Sequence, residues 1–74
     1  MTEEERKIIG TNIKGFREAR KLSQVEVGNA CGYENERTAQ GNVSRWERGL
    51  CCPPIEKLRP LANVLHCTID DILP

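Results

Sequence analysis

The sequence predicts an all-α fold: five short helices in a compact domain around one core. Three observations carry that prediction. Apolar residues recur at spacings of three and four, the repeat that lines one face of a helix. Thr2, Ser23 and Thr68 each stand three residues ahead of an acid (Glu5, Glu26 and Asp71), the capping-box pattern that opens helices. Nowhere does the chain show the polar–apolar alternation of a half-buried strand.

The first helix opens at Thr2, where Glu3, Glu4 and Glu5 complement the positive end of the helix dipole. Ile9, Ile13 and Phe16 give it an inward stripe, and Arg20 and Lys21 bring cations to its negative end, just before a stop at Leu22. Gly10 and Gly15 weaken this helix, so packing has to hold it. Ser23 caps the second helix, whose inward face carries Val27, Ala30 and Cys31. Gly28 inside it costs about 1 kcal/mol relative to alanine, which points to another backbone packed closely against that position. Gly32 is placed to end it.

Residues 33–41 are polar and lack a clear period, and either Asn35 or Thr38 can cap the third helix. Val43 and Trp46 mark its inward side, Asn42, Arg45 and Arg48 its outward side, and Gly49 its end. Leu50-Cys51-Cys52-Pro53-Pro54 is a connector, with proline suited to the first turn of the next helix. Ile55, Leu58, Leu61, Ala62 and Leu65 form that helix's stripe. Pro60 within it predicts a kink or a late start. Thr68 opens a last short helix carrying Ile69, Ile72 and Leu73.

Seventy-four residues support one domain, 1–74, with a small core. No leader pattern or apolar run of spanning length is present, so the expectation is a soluble, cytoplasmic protein without membrane contact. Eleven basic and eleven acidic side chains cancel, but they are not evenly spread. Arg6, Lys7, Lys14, Arg17, Arg20 and Lys21 face only Glu18 across the stretch they span, while the acids gather at residues 3–5 and 70–71. A neutral total therefore permits a basic face. The four cysteines do not read as a metal site, because Cys51/Cys52 and His66/Cys67 are adjacent pairs, and adjacent side chains rarely reach one tetrahedral ion. They read as free thiols, Cys31 in the core and Cys51 and Cys52 exposed. One histidine, no metal motif and no phosphate-cradling glycine loop argue against an enzyme, a cofactor or a small-molecule substrate.

Taken in order, Arg17, Leu22-Ser23-Gln24, Gly28, Gly32, Val43-Ser44, Trp46-Glu47-Arg48-Gly49, Pro53, Leu61-Ala62 and Thr68 to Leu73 resemble the phage repressor and Cro-type helix-turn-helix regulators, the XRE family. The resemblance spans Ile9 to Leu73 and implies a lambda-repressor-like fold. It places the third helix in the DNA major groove and the second across the backbone. Gln24, with Ser23 beside it, matches a phosphate-bonding position. Gln40, Gly41, Asn42 and Arg45 match positions facing base edges, where arginine pairs with guanine and asparagine or glutamine with adenine. Arg17 and Glu47 match a structural salt bridge tying the first helix to the third.

Three departures qualify the match. The segment between Gly32 and Val43 is longer than usual; it either extends the reading helix or forms a loop beside the DNA with Arg37 at its tip. Gly41 stands where a base-reading side chain is common. Leu50-Cys51-Cys52 replaces a polar connector, which leaves phosphate contacts there to backbone amides or Arg48. Each reading has a plainer counterpart: Trp46 is a core residue rather than a base-stacking one, Arg37 and Arg45 can be solvated charges, and His66 a helix-ending residue.

The sequence thus predicts a sequence-specific DNA-binding transcriptional regulator, a repressor acting by occupancy. Its partner is double-stranded DNA, bound as a homodimer over two half-sites. The dimer contact is expected at the C-terminal helix, through whichever of Ile69, Ile72 and Leu73 is exposed. The alternative is a protein-interaction or antitoxin-like module on the same fold.

Overall fold

The computed structural model describes all 74 residues. Five helices follow one another: α1 (Glu3–Ala19), α2 (Gln24–Ala30), α3 (Glu36–Glu47), α4 (Ile55–Leu65) and α5 (Ile69–Ile72). There are no strands. The three capping boxes form as the sequence predicts: Thr2, Ser23 and Thr68 each accept from the backbone N–H three residues on, and Glu5, Glu26 and Asp71 reach back to the cap N–H. Asn35 rather than Thr38 caps α3, its Oδ1 accepting from the Thr38 N–H.

Four helices end in the same way, through paired backbone bonds of the Schellman type. Leu22 N–H donates to Arg17 O and Lys21 N–H to Glu18 O; the matching pairs close α2 at Tyr33 and Gly32, α3 at Leu50 and Gly49, and α4 at Cys67 and His66. The turning residue is left-handed each time. Gly32 (φ 99°) and Gly49 (φ 74°) adopt that conformation freely, whereas Lys21 (φ 57°) and His66 (φ 55°) adopt it with a Cβ attached. α1 therefore stops at Ala19, two residues sooner than a boundary at Leu22 implies.

The core joins all five helices: Ile9 and Ile13 of α1, Val27 and the adjoining Cys31 from α2, Val43 and Trp46 of α3, Leu61, Ala62 and Leu65 of α4, and Ile72 of α5. Trp46, the sole tryptophan, is 1% exposed, with Tyr33 tilted against it at 6.1 Å between ring centroids. Lys57 Nζ covers the other ring of this pair, 4.7 Å from the Tyr33 centroid. α3 is seated against backbone on two sides. A Cβ on Gly28 would lie 2.5 Å from Ala39 Cβ, and one on Gly10 would lie 2.6 Å from the Glu47 carbonyl oxygen. The close approach expected at Gly28 is therefore real, and Gly10 supplies a second.

The apolar stripes need amending at several points. Ala30 is exposed, because the buried arc of α2 is centred on Val27, Gly28 and Cys31 and Ala30 falls outside it. Ile55 is 83% exposed: it is the first residue of α4 and overhangs the end of the core. α4 begins at Ile55 and runs through Pro60, so no late start occurs, and Pro54 stands just outside it at the cap. Cys51 and Cys52 are half-buried against the core rather than exposed. In α5 the fully buried Ile72 is unavailable to a partner, and Ile69 and Leu73 are half-buried. No helix is long and apolar enough to cross a membrane.

Candidate nucleic-acid interface

The segment that lengthens the connection between α2 and α3 becomes helix from Glu36 onward. α3 has twelve residues, and Arg37 lies in its exposed first turn rather than at the tip of a loop. Ala39, Val43 and Trp46 bury one side of α3. Arg37, Thr38, Arg45 and Arg48 are exposed, and Gly41, Asn42 and Ser44 are half-buried. No buried side-chain nitrogen or oxygen lacks a partner, so the core makes no demand on these outward polar groups.

Two groupings flank this surface. On one side Gln40 joins Ser23 and Gln24 of the α2 start, Lys14, Arg17 and Glu18 of α1, and Glu47, around an open cleft of about 490 Å³. Glu47 organises it. Its Oε2 accepts from Arg17 Nε at 2.5 Å, and its Oε1 accepts both Arg17 Nη2 (3.1 Å) and Gln24 Nε2 (3.0 Å). Arg17 also donates to the Leu22 carbonyl at 2.9 Å. The predicted tie between Arg17 and Glu47 is thus present and bidentate, with side-chain exposures of 13% and 4%. Hydrogen bonding to the Glu47 carboxylate raises the Arg17 pKa above its ordinary value, outweighing desolvation.

Gln24 is less free than its position at the helix start implies. One N–H of its amide is given to Glu47, leaving the second for an external acceptor. Ser23 Oγ accepts the Glu26 N–H, so only its hydroxyl hydrogen remains to donate outward. Lys14, one of the six basic residues in the stretch from Arg6 to Lys21, is a cleft residue to which the sequence assigned no role. Its spacing of three from Arg17 carries the signal, since residues three apart share a helix face.

On the other side Arg45 Nη2 donates to Asn42 Oδ1 at 3.3 Å, and Asn42 Nδ2 donates to the Thr38 carbonyl at 2.9 Å. Gln40 and Asn42, two residues apart, lie about 200° apart around the helix. The structure thus gathers Ser23, Gln24 and Gln40 in one cleft and pairs Asn42 with Arg45 on another flank. Arg48, the C-cap of α3, is exposed, its Nε 3.4 Å from the Ser44 carbonyl.

A short α2 crossing close to a longer α3, one face of α3 sealed and the other lined with arginine and amide groups, is the layout of a helix-turn-helix protein. The family model described as helix-turn-helix matches residues 13–72, from within α1 to the last residue of α5. The chain belongs to this family, the XRE-type helix-turn-helix regulators, whose business is DNA-binding regulation of transcription. Comparisons with curated proteins and with solved structures find no match.

Proposed function

We propose that the chain is a sequence-specific transcriptional repressor that reads the major groove with α3 and acts by covering its site. The observation carrying this reading is the two-sided character of α3: apolar and sealed on one side, exposed and rich in arginine on the other. Twelve residues make a rod of about 18 Å, a length a major groove accommodates.

The division of labour follows from chemistry. Arg45 pairs with a guanine edge, to which a guanidinium can donate twice. Gln24 gives its remaining N–H to a phosphate, with Ser23 and Lys14 beside it. Gln40 reaches the same strand from the cleft, and Arg37 and Arg48 bracket α3 as phosphate contacts. The molecule measures 29 × 22 × 21 Å and carries one α3, so it cannot alone engage two grooves about 34 Å apart. Residues 1–74 therefore act as one module of a homodimer completed on DNA, in the cytoplasm, without catalysis.

Selection of duplexes from a random pool, with Arg45→Ala in parallel, tests this. A two-fold-symmetric motif that Arg45→Ala alters at one base pair per half-site is the expected result. Folded protein that enriches no motif at low salt overturns it in favour of a protein-interaction module.

A further inference from the structure

Asn42 stands where a base reader is expected, yet both ends of its amide are already engaged. The Thr38 carbonyl can only accept and the Arg45 guanidinium can only donate, so one orientation alone satisfies both: Nδ2 toward Thr38 O at 2.9 Å, Oδ1 toward Arg45 Nη2 at 3.3 Å. The amide is held in place by the backbone of its own helix and hands its acceptor to Arg45. The neighbouring position is equally shaped by Arg45. A Cβ built on Gly41 would lie 3.4 Å from Arg45 Nη1, 3.8 Å from Nη2 and 3.9 Å from Cζ, so the guanidinium rests over the space a side chain would fill. Those distances are ordinary contact for a single carbon, and a longer side chain directed the same way would meet the guanidinium.

We propose that Asn42 is a positioning residue for Arg45 rather than a reader of its own base, and that Gly41 determines specificity by leaving the shelf on which the Arg45 guanidinium lies. The three residues then form one guanine-directed unit. Arg45 spends one of its five N–H donors on Asn42 and keeps four, enough for a bidentate contact to guanine O6 and N7. A long, flexible side chain that reads in the groove must be ordered at some cost, and holding it in the free protein removes part of that cost. This inference rests on the reading of α3 as a DNA-reading helix.

The test measures affinities for the selected duplex and its single-base-pair variants, using the wild-type chain, Arg45→Ala, Asn42→Ala and the double variant. Asn42→Ala should relax preference at the same base pair as Arg45→Ala, by about fivefold or more, and the double variant should lose no more than Arg45→Ala alone. Relaxation at a different base pair, with additive losses, would show that Asn42 reads for itself. Size at position 41 gives an independent arm: Gly41→Ala should keep the preference, and Gly41→Leu should lose it at that same base pair. Equal tolerance of alanine and leucine overturns the shelf.

A DNA-free measurement separates the failure of this unit from failure of the DNA reading itself. Side-chain NMR of Arg45 in the free chain should show its guanidinium more mobile in Asn42→Ala and Gly41→Leu than in the wild type. No change there overturns the positioning role whatever the DNA results. An ordered Arg45 in a protein that selects no duplex instead overturns the reading of α3, and the proposal with it.

Discussion

Glu47 has more riding on it than any other single side chain on the surface of α3. Its carboxylate accepts three hydrogen bonds from two other helices. Glu47→Ala should cost about 3 kcal/mol in urea unfolding, because it strands a largely buried guanidinium. Replacing the pair together, as Arg17→Met with Glu47→Leu, should recover much of that loss, since the remaining groups are apolar. The tie between Arg17 and Glu47 was legible through the family resemblance, residue by residue. The bond from Gln24 was not: twenty-three positions separate the partners, and no local pattern brings a helix start to a distant helix end. The cysteines follow burial in the same direct way. Cys31 is buried, and the resulting desolvation raises its thiol above its ordinary pKa. Timed alkylation of folded protein at neutral pH should modify Cys51 and Cys52 well before Cys31.

At the scale of elements, the helix starts were the most legible feature and the start of α3 the least. Ser or Thr three residues ahead of an acid at the head of an apolar stripe is a local signal, and the pairs at Thr2, Ser23 and Thr68 each formed their box. Asn35 and Thr38 are both capping residues three apart, so local chemistry offers two starts. Asn35 takes the cap, which sets Ala39, buried against Gly28, in the first turns of the helix rather than at its first residue. A single alanine is too weak an apolar signal to show this in the sequence. Gly28→Ala should therefore push α2 off α3 and destabilise the fold by about 2 kcal/mol, measurable by thermal unfolding.

The helix ends carry a prediction of opposite sign. Lys21 holds a left-handed conformation that glycine adopts freely, so Lys21→Gly should raise stability by about 0.5 kcal/mol, the strain relieved exceeding the flexibility added to the unfolded chain. Two of the capping boxes also contribute to stability that is lost in acid. Hydrogen bonds from the Thr2 and Thr68 backbone N–H groups hold Glu5 and Asp71 below the usual carboxylate range. A lowered folded-state pKa stabilises above the unfolded value and is lost as pH falls through the folded one. Melting temperature should drop below about pH 4, and less steeply in Glu5→Gln with Asp71→Asn.

For the molecule as a whole, zero net charge makes local placement decide how the chain meets a polyanion. Only two ion pairs form, Lys7 with Glu3 and Arg17 with Glu47, so Lys14, Arg37, Arg45 and Arg48 have no carboxylate within 4 Å. Binding should weaken steeply with salt, by about 0.9 in log affinity per log salt for each phosphate engaged, and Arg48→Ala should lower that slope by about one contact. A shallow slope unaltered by Arg48→Ala would remove Arg48 from the phosphate contacts.

Trp46 adds something to these experiments that needs no label. The one indole of the chain sits on the sealed side of α3, beside the one phenol, with its back to the exposed, arginine-bearing side of the helix. Its fluorescence is a built-in gauge of whether α3 remains docked. Unfolding should shift the emission to the red and end the excitation transfer from Tyr33, while binding that uses only the outer face should leave the spectrum nearly still. A strong spectral response to DNA would show that recognition reaches through the helix and repacks what lies behind it.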